Sequence, residues 1–194
     1  MMTLVFLLEE PSAKILLEGL LPRVLPMDRV EFHCVAFEGK QDLEKQIVRK
    51  IRGWRKPNTR FIVLRDQNSA DCRDVKSRLA ELCQEANRPD TLIRIACREI
   101  ESWYLGDLEA VQQAFAARGV ARLQRQRKFR DPDRLGSPSR EMQSITKGEY
   151  QKISGARIMA QHLRLREGDN KSHSFRIFIS GVTGIVQQSG GASQ

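Results

Sequence analysis

The stretch TLVFLLEEPSAKILLEGLLP, residues 3–22, runs an unbroken apolar segment into two adjacent carboxylates and then directly into a helix-like segment. An apolar run of this length, closed by turn-compatible residues, reads as a strand buried on both faces. Pro11 and Ser12 suit the first turn of a helix, where a fixed φ and a capping hydroxyl are both accommodated. The same alternation continues along the first half. Strands are expected at Thr3–Leu8, Val30–Phe37, Arg60–Arg65 and Thr91–Cys97, and helices at Ser12–Leu21, Lys40–Trp54 and Ala70–Ala86. Connections of helical length join parallel strands through right-handed crossovers, so the expected fold class is α/β: an open, mainly parallel sheet flanked by helices.

The pattern changes after Arg98. Helical segments are expected at Glu99–Tyr104 and Leu108–Ala117, followed by the basic, proline-containing stretch RLQRQRKFRDPDRLGSPSR, residues 122–140, expected to loop across the surface. Two further helices are expected, beginning near Ser154 and near Ser174, the second with Phe175, Phe178, Ile179, Val182 and Val186 on one stripe. This gives a core over residues 1–106, a helical C-terminal annex over 107–188 with a basic loop at 118–140, and a disordered tail over 189–194.

With 194 residues and 40% hydrophobic content, the chain can bury one substantial core. The formal charge of +9 suits a polyanionic partner. Four cysteines lie far apart without zinc spacing and read as reduced, buried thiols of a cytoplasmic protein. No secretory leader pattern and no apolar run of membrane-spanning length is found, and no P-loop, GxGxxG or nucleophile motif is present.

In an open parallel sheet, ligands bind beyond the carboxyl ends of the strands. Three of the four apolar runs end in acid: Glu9 and Glu10, Asp66, and Glu99 with Glu101. On parallel strands these groups converge on one edge, where like charges call for a proton or a cation, and hard oxygen ligands favour Mg²⁺ or Mn²⁺. Acids in these positions also cap helices. Glu99 and Glu101, two residues apart, cannot share a helix face.

The ordered set VFLLEEPSAKILLEGLLP, FIVLRDQNSADC, RIACREIESWYLGD, YQKISGARIMAQHL and NKSHSFRIFISGV resembles the bacterial family called domain of unknown function 4276. A Glu ending the first strand and an acid at the end of the third also resemble the Toprim fold of topoisomerases, primases and nucleases of the overcoming-lysogenization-defect type. The resemblance implies a Toprim-like core, Mg²⁺ or Mn²⁺ as cofactor, phosphodiester chemistry on DNA or RNA, and an ATPase partner encoded in phage-defence or mobile loci. Glu9 then occupies the place of the Toprim glutamate and Asp66 that of the first metal-binding aspartate, while Asn68 stands where the second aspartate is expected. Asp71 and Glu99 are the residues available to compensate for its missing charge. Glu10 stands where such families usually carry Gly. The alternative is a non-catalytic adaptor that binds nucleic acid or the ATPase, its site having decayed at Asn68.

Lys152 precedes a helix start and can bind phosphate or pair with the acids. Ser172, His173 and Ser174 read as a helix cap with a possible proton carrier, His33 as a core or edge residue, and Trp103 as the anchor of the annex. Arg122, Arg125, Arg127, Lys128 and Arg130, within a wider group including Arg118, Arg134 and Arg140, are the expected contacts to a nucleic-acid backbone.

Overall fold

The computed structural model describes residues 1–190. Four parallel strands, β1 (Met2–Leu8), β2 (Val30–Ala36), β3 (Thr59–Asp66) and β4 (Leu92–Ala96), form one sheet in the order β2-β1-β3-β4. Leu8 pairs with Ala36 on one side and Leu64 on the other, and Asp66 pairs with Ala96. The strand order reverses between β1 and β3, so the crevice at their carboxyl ends is the switch point where an open α/β sheet takes its ligand.

Alternation along the strands divides the core into two. Leu4, Phe6, Leu8, Ile62, Leu64 and Ala96 pack on one face with helix α1 (Pro11–Leu20) and the C-terminal helices. Val5, Leu7, Phe61, Val63 and Ile93 pack on the other with α2 (Lys40–Gly53) and α3 (Cys72–Glu85). Both edges of the alternation are apolar on β1 and β3 because these central strands are covered twice. The edge strand β2 is less buried; its exposed His33 stacks at 5.4 Å on Trp54.

The annex comprises α4 (Glu101–Leu105), α5 (Leu108–Ala114), three short 3-10 turns between Val120 and Arg134, α6 (Pro138–Ile145), α7 (Lys152–His162) and α8 (His173–Gly190). Trp103 anchors it as expected. The indole is fully buried against Phe175 and Phe178, and its Nε1–H donates to Ser174 Oγ at 3.0 Å. Asp107, also fully buried, caps α5 through Ala110 N–H and takes the Arg164 guanidinium at 2.7 Å. The start of α8 is held by Asp133, which accepts from Ser172 Oγ and Ser174 N–H, while Ser172 Oγ accepts from Phe175 N–H. Ser172 and Ser174 therefore serve the helix cap, and His173 faces outward.

Several boundaries differ from the sequence reading. Residues 122–140 are not a free loop: Phe129 and Leu135 insert into the core, and Gln124 donates to Leu105 O and Phe129 O. An additional helix, α6, follows Ser137, and α8 continues through Gly190; residues 191–194 of the expected tail lie outside the described residues. Of the thiols expected to be buried, Cys83 is buried, Cys34 and Cys97 are half-buried, and Cys72 is exposed at the start of α3; all four are free. Among the described residues, no helix is long and apolar enough to cross a membrane.

Candidate functional site

Asp66 is the last residue of β3, on the strand face covered by the annex. Its side chain is nearly buried, and its carboxylate accepts no hydrogen bond among the described residues. Burial, reinforced by Glu101, Glu9 and Glu10 and opposed by Lys152, holds its pKa well above the usual carboxylate range. Glu9 follows β1 and turns its Oε2 toward the Asp66 backbone N–H at 3.1 Å, with Arg65 Nε at 3.7 Å. Burial raises the Glu9 pKa; the Asp66 N–H, Arg65 and the Asn68 amide favour the charged form without overcoming it.

The third acid is Glu101, the first residue of α4 and fully buried. Tyr150 Oη donates to its Oε1 at 2.7 Å, while Oε2 is buried without a partner. Desolvation raises its pKa, and the Tyr150 hydrogen bond and Lys152 only partly offset that. Tyr104 lies beside the same acids, its hydroxyl also buried and unpartnered, and burial together with Glu101 and Asp66 pushes its pKa far up. The two tyrosine rings meet edge-on at 6.1 Å. Gly155 of α7 makes room for this arrangement, because a Cβ there would stand 2.4 Å from Tyr150 Cε2.

Lys152, at the first turn of α7, closes the rim. Its Nζ bonds Glu10 Oε2 at 2.7 Å, and Ser12 Oγ donates to the other Glu10 oxygen. Burial opposes its charge, but Glu10, Glu101 and Asp66 together raise its pKa. Glu10 is the residue preceding α1, with an ordinary extended backbone that does not require glycine.

Glu9, Asp66, Lys152 and Asn68 thus lie near one another, and two other residues do not join them. Asp71 caps α3 by accepting Arg73 N–H at 2.7 Å and is exposed. Glu99 turns away and caps α6, accepting Ser139 N–H at 2.7 Å. Glu99 and Glu101 do not share a face: Glu99 precedes α4, and Glu101, its first residue, is turned into the core. The sequence signal that marks it is the run Glu101-Ser102-Trp103-Tyr104-Leu105, buried throughout, in which the glutamate belongs to the core-facing helix. Tyr104 and Tyr150 are the site residues that the sequence reading did not single out, since nothing in their local sequence marks them as facing carboxylates.

In the basic segment, Arg122, Arg125, Arg127 and Arg130 are exposed, while Lys128 pairs with Glu141 at 2.6 Å. Among the described residues these four arginines have no ion pair.

The donors around Asp66 are hard oxygens with an unpartnered buried carboxylate oxygen, which is the chemistry a divalent cation takes. Their arrangement is open: among the described residues, no group of three or more His, Cys, Asp or Glu side chains stands at metal-holding spacing. Glu9 is turned to a backbone N–H and Glu10 to Lys152.

Fold and site together define an α/β protein whose acids gather into an acidic pit of largely buried carboxylates at the switch point of a parallel sheet. The chain belongs to the family described as Domain of unknown function (DUF4276), whose family model matches residues 8–183. No curated protein and no solved structure matches it.

Proposed function

We propose that this chain is a Toprim-like, Mg²⁺- or Mn²⁺-dependent phosphodiesterase, a nuclease of a bacterial phage-defence or mobile-element system with an ATPase partner. The observation that carries the reading is the pit itself: three carboxylates from β1, β3 and α4 held beside one another at raised pKa, one with a buried oxygen left unpartnered. A fold maintains that repulsion where function requires it. Asp66 and Glu101 would hold the ion, with Glu9 joining them on leaving the Asp66 N–H and Asn68 offering a carbonyl oxygen. The ion, when bound, would supply Lewis acidity toward a phosphate and an activated water. Tyr150 fixes Glu101, and Lys152, tethered by Glu10, keeps a positive charge at the rim where a phosphate would approach. The exposed Arg122, Arg125, Arg127 and Arg130 would hold the nucleic-acid backbone.

This reading requires Mn²⁺-dependent cleavage of a nucleic-acid strand that Glu9→Gln and Asp66→Asn each abolish; equal cleavage by both variants and wild type would overturn it. The open spacing of the acids and the neutral Asn68 favour a second reading, a non-catalytic adaptor. Thermal unfolding in millimolar Mg²⁺ or Mn²⁺ separates the two, since an ion that binds only the folded chain raises Tm by mass action. The adaptor predicts no shift.

A further inference from the structure

Beside the acidic pit is a separate cavity of about 280 Å³, lined by Asn68, Ser69, Arg98, Glu99 and Gly136. Its chemistry is the reverse of its neighbour's. Arg98 is half-buried, and its guanidinium makes no ion pair or hydrogen bond among the described residues. The one carboxylate in the lining, Glu99, is already engaged by the Ser139 N–H. What remains free is the Arg98 guanidinium and the Ser69 hydroxyl, since the Asn68 amide is directed to Asp66 O and Glu9.

The backbone is arranged to present them. Arg98 and Asn68 both take left-handed conformations, with φ of 61° and 56°. They lock to each other through Asn68 N–H to Arg98 O at 2.7 Å, and Gln67 Oε1 accepts from Arg98 N–H at 3.2 Å. Asparagine tolerates this region; a long arginine side chain gains nothing from it locally. Asn68 is also the link between the two sites, its amide lying against Glu9 and donating to Asp66 O at 3.5 Å. Arg98 makes no ion pair, and Glu99, which shares its cavity, already has one oxygen taken by Ser139 N–H, so the guanidinium keeps its charge-assisted donors for an anion from outside.

We infer that Arg98 and Ser69 form a phosphate subsite that seats a neighbouring phosphate of the nucleic-acid strand whose reacting phosphate lies at Asp66. The subsite rests on the phosphodiesterase reading for its role, but its existence as an anion site does not. A guanidinium offers paired donors to phosphate oxygens, which a lysine ammonium does not. Arg98 is accordingly a binding residue that sets how the strand lies across the pit, separate from the exposed arginines at 122–130.

The test uses inorganic pyrophosphate as probe, titrated calorimetrically into the metal-free full chain, in wild type and in Arg98→Gly, Asp66→Asn and, as a control at an exposed arginine with no assigned role, Arg55→Ala. Glycine accepts a positive φ without strain, so Arg98→Gly removes the side chain while leaving the turn relaxed, and its Tm should not fall. The expected result is binding by wild type that weakens at least about ten-fold in Arg98→Gly and stays within about two-fold in Arg55→Ala, in line with the loss of a charge-assisted contact. Asp66→Asn should bind as well as wild type or better. Equal affinity in wild type and Arg98→Gly, or no binding by wild type, overturns the subsite. Pyrophosphate binding that depends on Arg98 in a chain that never cleaves would leave the subsite standing and remove the phosphodiesterase reading instead.

Discussion

Tyr104 and Tyr150 give a prediction in which the same chemical change has opposite signs at adjacent positions. Both rings are buried and in edge contact at 6.1 Å, and Tyr→Phe removes only a hydroxyl from each. Tyr150 Oη donates to the buried Glu101 carboxylate at 2.7 Å, so Tyr150→Phe leaves both oxygens of that carboxylate without a partner. Losing a hydrogen bond to a charged group costs about 1.5–3 kcal/mol. Tyr104 Oη has no partner, so Tyr104→Phe deletes a desolvated polar group and should stabilise the metal-free chain by about 1–2 kcal/mol. At roughly 2–4 °C per kcal/mol for a chain of this size, Tyr150→Phe should lower Tm by about 3–12 °C and Tyr104→Phe should raise it by about 2–8 °C. The assay is thermal unfolding at neutral pH in chelator. Two shifts of the same sign would refute the assignment of which hydroxyl serves the carboxylate.

Asp66→Asn should change the pH dependence of stability. The folded-state pKa of Asp66 is raised, so the contribution of its protonated form is fully present below the unfolded value of about 3.9 and is lost as pH rises through the folded value. Asp66→Asn should therefore melt above wild type at pH 8, with the gap closing toward pH 4; a constant gap over that range contradicts the burial and repulsion described. Gly155→Ala should cost about 1–3 kcal/mol, because its methyl must displace the Tyr150 ring from 2.4 Å, and urea unfolding reads the loss. A neutral result would mean the ring is free to move and does not fix Glu101.

The parts of the fold that were legible in the sequence are those where one physical signal dominates. The runs at Leu4–Leu8 and Phe61–Leu64 are apolar at every position because both faces of the central strands are covered, and helical spacing between them leaves little choice but parallel crossovers. Glu9 and Asp66 were legible for the same reason, since Glu9 directly follows one buried strand and Asp66 ends another. The choice between Glu99 and Glu101 was not. It depends on where the first turn of a five-residue helix falls, and Glu99 finds its partner at Ser139, forty residues further along. That partner belongs to α6, a helix with Pro138 and Met142 buried and little apolar pattern to mark it. Asp71 is a local case: five residues after Asp66, it stands at the N-cap of α3, where its carboxylate is taken by Arg73 N–H. The basic stretch read as a loop because its anchors, Phe129 and Leu135, are single apolar residues among charges.

The most direct test of the account is Mn²⁺-dependent cleavage of labelled single- and double-stranded DNA and RNA by wild type, Glu101→Gln and Glu99→Gln. The account predicts cleavage by wild type and by Glu99→Gln, whose amide oxygen can still cap α6, and loss of cleavage in Glu101→Gln. Cleavage that survives in Glu101→Gln and disappears in Glu99→Gln, or no cleavage by wild type, would contradict it.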